Sequence, residues 1–393
     1  MSIKIISGGV CAPKGFLSSE VHSKAESNAA EKDISLIYSK KLANAAAIYT
    51  ENRIQGASVT VTKANLENGR AQAIIRSCGN GNCCTESGIK IAEGISAILA
   101  RELKISKKNV IVASDGVIGK PMSIEPFERG IPELVAALSP DFPACTADGA
   151  ATSDTGPNGI AVSFTVGGVE CKMGGIAMSP ASSSLHVFIT TDCAISSEML
   201  AKALATDVKS TYDTLSIDGA PSPNDMISVM ANSAAGNREI TKAGKDFKEF
   251  TKALNTVNAK LCRKIAAEYA GASKLIECSV ACAVNEASAK AIARSVIGSL
   301  PVRGAMHASR ADWGCILSAI GNAGVAFCAD RVAISFISAK GEIPVCSKGV
   351  GVDFSEEFAK EILSEDEITI AVKLGDGDAS YVTLGCDLAY GHI

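Results

Sequence analysis

The sequence predicts an α/β protein in which sheets are layered with helices. Short β-branched runs alternate with stretches of helical periodicity along the whole chain. No low-complexity linker or internal repeat interrupts them. Hydrophobic residues make up 47% of the chain but aromatic residues only 5%, so the core must be built from Ala, Val, Ile and Leu. A length of 393 residues suits one large or two medium domains.

Taken in order, Val59-Thr60-Val61 and Ala73-Ile74-Ile75 read as short strands. Ile91, Ile95, Ile98, Leu99 and Leu103 then recur at helical spacing. Asn109-Val110-Ile111-Val112-Ala113 is an apolar strand that delivers Ser114-Asp115-Gly116 to a loop at its C-terminal end. Val162 to Val166 and Val169 to Met173 flank Gly167-Gly168, a two-residue hairpin turn, because glycine accepts the positive φ angles of the primed turns. Phe188-Ile189-Thr190-Thr191 is a β-branched strand fed by the hydroxyl run Ser182-Ser183-Ser184. Leu200, Leu204, Val208 and Tyr212 share one helical face, introduced by Ser196 or Ser197 as cap and Glu198 in the first turn. A second helix spans roughly Phe250 to Tyr269. Strands return at Ile368 to Leu374 and Ser380 to Leu384, about the turn Gly375-Asp376-Gly377-Asp378.

Charge and cysteine usage exclude several function classes. A net charge of −4 gives no basic field for nucleic acid or anionic lipid. There is no apolar run of about 18 residues for a membrane span, and Met1-Ser2-Ile3-Lys4 lacks a secretory pattern. The chain reads as soluble and cytoplasmic, with small molecules rather than nucleic acid or membrane as partners. Fourteen cysteines in so large a chain are expected to be reduced, buried small residues. Cys83-Cys84 and Cys278-x-x-x-Cys282 lack zinc-knuckle spacing, and His22, His186, His307 and His392 are not placed as ligands, so no metal is expected.

The serine run carries a specific chemistry. An N→O acyl shift needs a hydroxyl after the scissile bond, small neighbours that tolerate a strained turn, and a rigid strand to hold the new terminus. Cleavage between Ser183 and Ser184 would give Ser184 a free α-amine, with a reference pKa of about 7.7–8.0, able to serve as the hydroxyl's own general base. His186 lies two residues on, and positions two apart on a strand face the same side, so it is a second candidate base. A packed strand histidine is the alternative.

Several short, distinct blocks follow one another along the chain. Gly8-Gly9-Val10-Cys11-Ala12-Pro13 opens the chain, followed by Gly79-Asn80-Gly81-Asn82-Cys83-Cys84-Thr85 and Ala113-Ser114-Asp115-Gly116-Val117-Ile118-Gly119. Gly174-Gly175-Ile176-Ala177 precedes the serine run, and Ser216-Ile217-Asp218-Gly219 with Ser222-Pro223-Asn224-Asp225 follows it. Asp312-Trp313-Gly314 and Gly385-Cys386-Asp387-Leu388 complete the set. In order and spacing they resemble the ornithine acetyltransferase family, the bifunctional glutamate N-acetyltransferases of arginine biosynthesis, from about residue 8 to about residue 390. The resemblance implies a self-processed fold of the N-terminal-nucleophile type. Residues 1–183 would form an α chain and residues 184–393 a β chain, intertwined in one architecture and assembled as a heterotetramer.

The same resemblance assigns roles. Ser184 aligns with the family's nucleophilic threonine and keeps its hydroxyl. Asp115-Gly116 aligns with a Thr-Gly oxyanion pair; Gly116 can still offer its N–H, whereas an ionised Asp115 would repel the oxyanion, and loss of one donor costs on the order of 10²–10³ in rate. Thr152 and Ser153 align with substrate-binding hydroxyls. Met178 stands where the family has a lysine and Ala270 where it has a glutamate, and the chain stops at Ile393, before a family asparagine and threonine. The implied activity moves acetyl from N2-acetylornithine, or acetyl-CoA, to glutamate through an acyl-Ser184 intermediate, without a cofactor. Two alternatives stay open: a catalytically impaired paralogue with a structural or regulatory role, and an amide hydrolase with an altered substrate.

Overall fold

The computed structural model describes residues 3–22, 33–141, 159–178, 184–216, 221–267 and 272–388. They fall into two compact units, residues 1–209 with 221–261, and residues 210–220 with 262–393. The units do not coincide with a division at residues 183 and 184, because the strand after the serine run belongs to the first.

The first unit contains strands β1 (Lys4–Ile6), β2 (Phe16–Val21), β3 (Ile34–Tyr49), β4 (Arg70–Ser77), β5 (Val110–Ser114), β6 (Gly159–Val166), β7 (Val169–Met178), β8 (His186–Thr191) and β9 (Met226–Ala231). Its helices are α1 (Ala57–Asn65), α2 (Gly88–Leu103), α3 (Glu125–Ala136), α4 (Ser197–Ser210) and the start of α5 (Lys245–Ala267). These strands form one sheet in the order β1-β6-β7-β8-β9-β3-β4-β5, with β2 on the first half of β3. The long strand β3 is the joint: residues 34–39 pair with β2, whereas residues 44–49 pair with β9. A register irregularity against β4 between Tyr38 and Ala43 marks the bend.

Bending brings the two wings of the sheet face to face. Ile74 of β4 and Ile111 and Ala113 of β5 share one buried cluster with Ile176 of β7, Phe188 of β8 and Met226 of β9. The outer face of the β3–β5 wing is covered by α2 and α3 through Ile95, Leu99, Phe127 and Ile131. Helix α5 covers the other outer face, where Phe164 and Phe250 meet edge to face at 6.2 Å. Two adjacent glycines on β7 show how tight both faces are: a Cβ at Gly174 would lie 1.9 Å from the Gly9 carbonyl oxygen, and one at Gly175 would lie 2.8 Å from Val257. Helix, sheet, sheet and helix thus stack as layers, as the sequence predicts.

Most expected elements are present. Gly167 and Gly168 both adopt positive φ, +56° and +87°, in the β6–β7 hairpin. Ser196 accepts from the Met199 N–H at the start of α4. Val59-Thr60-Val61 is a correction, because these residues lie inside helix α1. Tertiary packing overrides their β-branched preference. Strand β5 ends the sheet, and α1 runs beside it, with Thr62 Oγ1 accepting from Val112 N–H (2.9 Å) and donating to its carbonyl (2.8 Å). Side chains of a helix satisfy an edge that a strand would otherwise need.

The second unit holds β10 (Leu275–Ala283), α6 (Glu286–Gly298), α7 (Leu300–His307), α8 (Trp313–Gly321), β11 (Ala333–Ser338), β12 (Gly341–Ser347), β13 (Val350–Gly351), α9 (Glu356–Leu363), β14 (Glu367–Lys373) and β15 (Ala379–Cys386). Its sheet runs β13-β12-β11-β14-β10-β15 around a core that includes Ile276, Ile292, Phe336 and Ile370. The described cysteines are free thiols, most of them buried. No described helix is long and apolar enough to cross a membrane, and no described group of side chains could hold a metal ion.

Candidate active site

Ser184 is buried, only 1% exposed, two residues ahead of β8. Its backbone neighbourhood is fixed by Asp225. One carboxylate oxygen accepts from the Leu185 N–H at 2.7 Å and the other from the Ser222 N–H at 2.9 Å, while the Leu185 carbonyl accepts from Met226 N–H at 2.9 Å. The Ser222-Pro223-Asn224-Asp225 turn therefore clasps the segment leading into β8. Within it the Ser222 hydroxyl accepts from Asn224 N–H at 3.4 Å, a side-chain turn of the kind serine favours. The same hydroxyl shares a 2.8 Å hydrogen bond with Ser184 Oγ. Burial pushes the Asp225 carboxyl up to about 6, with the negative charge of Asp115 adding to the rise and the two N–H donors opposing it.

Asn224 ties this turn to the glycine loops. Its amide donates to the Gly81 carbonyl at 2.9 Å, and a Cβ at Gly81 would lie 2.8 Å from the Gly116 carbonyl oxygen. Gly116 itself has φ +125°, and a Cβ there would fall 2.3 Å from the Gly79 carbonyl carbon. Backbones meet at these positions, and no side chain fits between them. Among the described residues no group accepts from the Gly116 N–H, whereas the Asp115 N–H donates to the Ser77 carbonyl at 3.0 Å.

Asp115 does not stand as an isolated carboxylate. Its fully buried side chain is paired with Arg76 at 3.2 Å, and Arg76 is itself 6% exposed. Arg76 Nε also donates to His186 Nδ1 at 3.4 Å, and the other ring nitrogen meets the Asn224 carbonyl at 3.0 Å, which makes His186 the Nε2–H tautomer. Burial lowers the His186 pKa to about 4; the Asp115 charge pulls it up and the Arg76 charge pushes it further down. A neutral ring with both nitrogens engaged, stacked on Phe188 with centroids 6.0 Å apart, resembles the packed strand histidine more than a free base. The Ser184 hydroxyl meets Ser222 instead.

Met178 ends β7 opposite His186 and is packed in the apolar cluster between the wings. Ser183, Thr152, Ser153 and Ala270 lie outside the described residues. Two sets of contacts escape the sequence reading, those of Arg76 and those by which Ser222 and Asp225 hold the segment before β8. Arg76 has a faint signal, a lone charge ending the apolar run Ala73-Ile74-Ile75. The Ser222–Asp225 clasp has a better one, an Asx-rich turn directly before a strand.

Fold and site define a layered α/β protein with a buried polar cluster where a central strand begins. The sequence pattern of the ArgJ family matches residues 18–393. The arginine biosynthesis bifunctional protein ArgJ of Caldanaerobacter subterraneus subsp. tengcongensis is 38% identical over 397 residues, covering 100% of this chain and 98% of the relative. The protein of the same name from Streptococcus thermophilus is 35% identical over 399 residues, covering 100% of this chain and 98% of the relative. A crystal structure of the Bacillus halodurans protein of that name is 34% identical and superposes with a TM-score of 0.49, covering 53% of this chain and 94% of that one. The chain belongs to the ArgJ family, and by that likeness it is an enzyme. The resemblance carried by the sequence blocks is thereby borne out.

Proposed function

We propose that the chain is an acyltransferase of arginine biosynthesis that cuts itself between Ser183 and Ser184 and then carries acetyl on Ser184. The acetyl passes from N2-acetylornithine to Ser184 Oγ and from there to the amino group of glutamate, in a two-step cycle. Acetyl-CoA is the alternative donor, and no cofactor enters. The observation that supports this reading best is the buried Ser184 hydroxyl at the head of β8, held by a clasp that fixes its backbone on the C-terminal side.

Each element has a part in that cycle. The freed α-amine of Ser184 takes the hydroxyl proton, because its reference pKa lies near neutrality. The Gly116 N–H stabilises the developing oxyanion. Asp115, as the counter-ion of Arg76, brings no uncompensated negative charge to the loop. After cleavage the fragments stay together, since β7 and β8 pair from Met173↔Thr191 to Met178↔His186, and β3 pairs with β9. Two such assemblies would make the heterotetramer.

The test is intact-mass spectrometry of purified protein incubated with N2-acetylornithine and quenched. Fragments 1–183 and 184–393 are expected, the second one acetyl group heavier while donor is in excess. A single uncut chain overturns the reading. An acetyl group that is lost to water as fast with glutamate as without it supports the amide hydrolase instead.

A further inference from the structure

We infer that Ser222 is the proton relay for self-cleavage at Ser184, and that Asp225 is the positioning residue that holds relay and nucleophile together. The inference rests on the self-processing reading given above. It concerns a step that the α-amine cannot serve. In the uncut chain the nitrogen of residue 184 is an amide, with no basic lone pair, so the hydroxyl lacks the base that it has afterwards.

The geometry supplies a substitute. Ser184 Oγ and Ser222 Oγ are 2.8 Å apart, and both side chains are buried, at 1% and 6% exposure. His186 is engaged at both ring nitrogens by Arg76 and Asn224. Asp225 has each carboxylate oxygen on a backbone N–H, one of Leu185 and one of Ser222. Among the described residues, the hydroxyl of Ser222 is thus the group in direct contact with the attacking oxygen. Oγ and N of one serine are three bonds apart, so a hydroxyl bonded to the first can reach the second by a small rotation.

The step balances without an added base. Ser184 Oγ attacks the carbonyl carbon of residue 183 and passes its proton to Ser222 Oγ. As the C–N bond breaks, Ser222 gives its own proton to the departing Ser184 nitrogen. A C–O bond has replaced a C–N bond and the proton has moved from Oγ to N. Water then hydrolyses the ester, leaving a carboxylate on residue 183 and a free hydroxyl and amine on Ser184. Once the amine exists Ser222 is no longer needed as a relay, so the two reactions should part company on its removal.

The experiment follows cutting of freshly synthesised full-length chain by intact mass. Ser222→Ala is expected to slow self-cleavage by about 10²-fold or more, in line with one general acid–base contribution, yet to lower acyl transfer by the matured fraction by less than about 10-fold. Ser222→Cys changes the proton affinity of the relay while nearly keeping its size. Its cleavage rate should follow a pH profile displaced from that of the wild type, which a purely structural side chain would not produce. Wild-type chain that never cuts overturns both this inference and the proposed function. Wild-type chain that cuts, with Ser222→Ala cutting equally fast, overturns the relay alone. Should Ser222→Ala fail to fold, a Ser222→Cys profile superimposable on the wild-type one overturns it just as well.

Discussion

Arg76 and Asp115, 39 positions apart in the chain, form a buried ion pair at 3.2 Å beside the candidate oxyanion loop. Parallel pairing of β4 with β5 sets them together, with Arg76 opposite Ala113 and Ser77 opposite Ser114. Replacing Asp115 by the threonine that the family resemblance suggests would leave Arg76 buried without its counter-ion. Breaking such a pair from one side costs about 3–5 kcal/mol. We expect Asp115→Thr and Arg76→Met each to lose stability of that order in denaturant titrations. The double variant should lose clearly less than the sum, and strict additivity would falsify the coupling.

His186 and Asp225 impose opposite pH dependences. The His186 pKa is lowered to about 4, so its contribution is present above the unfolded value near 6.5 and fades as pH falls towards 4. The Asp225 pKa is raised to about 6, so its contribution is present below the unfolded value near 3.9 and fades as pH rises through 6. Each is worth about 3 kcal/mol, and between pH 4 and 6 they largely cancel. In His186→Gln only the Asp225 term remains, so relative to wild type the stability should decline as pH rises from 4 to 6. Parallel curves for the two proteins over that range would count against a buried, neutral His186.

Gly116 combines a φ of +125° with contact between backbones. Gly116→Ala should cost at least about 2 kcal/mol, because both the conformation and the overlap with Gly79 must be relieved. The melting temperature reads this directly. An alanine variant as stable as the wild type would mean that the loop from Gly79 to Asn82 yields easily.

Donor selectivity follows from Met178. An apolar side chain packed between the sheet wings supplies no fixed charge to a substrate. One charge-assisted hydrogen bond is worth about 1.5–3 kcal/mol, roughly 10- to 150-fold. Processed enzyme should therefore prefer N2-acetylornithine over neutral N-acetyl amino acids by less than about 10-fold in kcat/KM. A selectivity of several hundredfold would require a charged contact elsewhere on this chain.

Legibility in the sequence tracked the range of the interaction. Strand β5 is readable from Val110 to Ala113 because every residue there is apolar and buried, and the β6–β7 turn is readable because Gly167-Gly168 is a local signal. Helix α1 is not legible because Val59, Thr60 and Val61 have the residue types of a strand, whereas in the structure they form a helix beside the edge strand β5. Ser184 stands out by its serine run. The partners that define its surroundings come from Ser222, Asp225 and Arg76, whose proximity depends on strand pairing and on the bend in β3. Local patterns mark those residues only faintly, and the contacts themselves follow from the pairing of distant strands.

Strand order also fixes a sequence of events. Segments on either side of residue 184 are joined at two separate seams, β7 with β8 and β3 with β9. A clasp made from residues 222–225 holds the segment leading into β8, so that segment takes this arrangement only once the downstream chain is in place. The unbroken polypeptide can thus assemble by first-order kinetics. A cut molecule that is fully denatured has become two solutes, and its recovery would slow on dilution. Self-processing would convert a reversible folder into a concentration-dependent one, with the information for rapid assembly spent at the moment of the break.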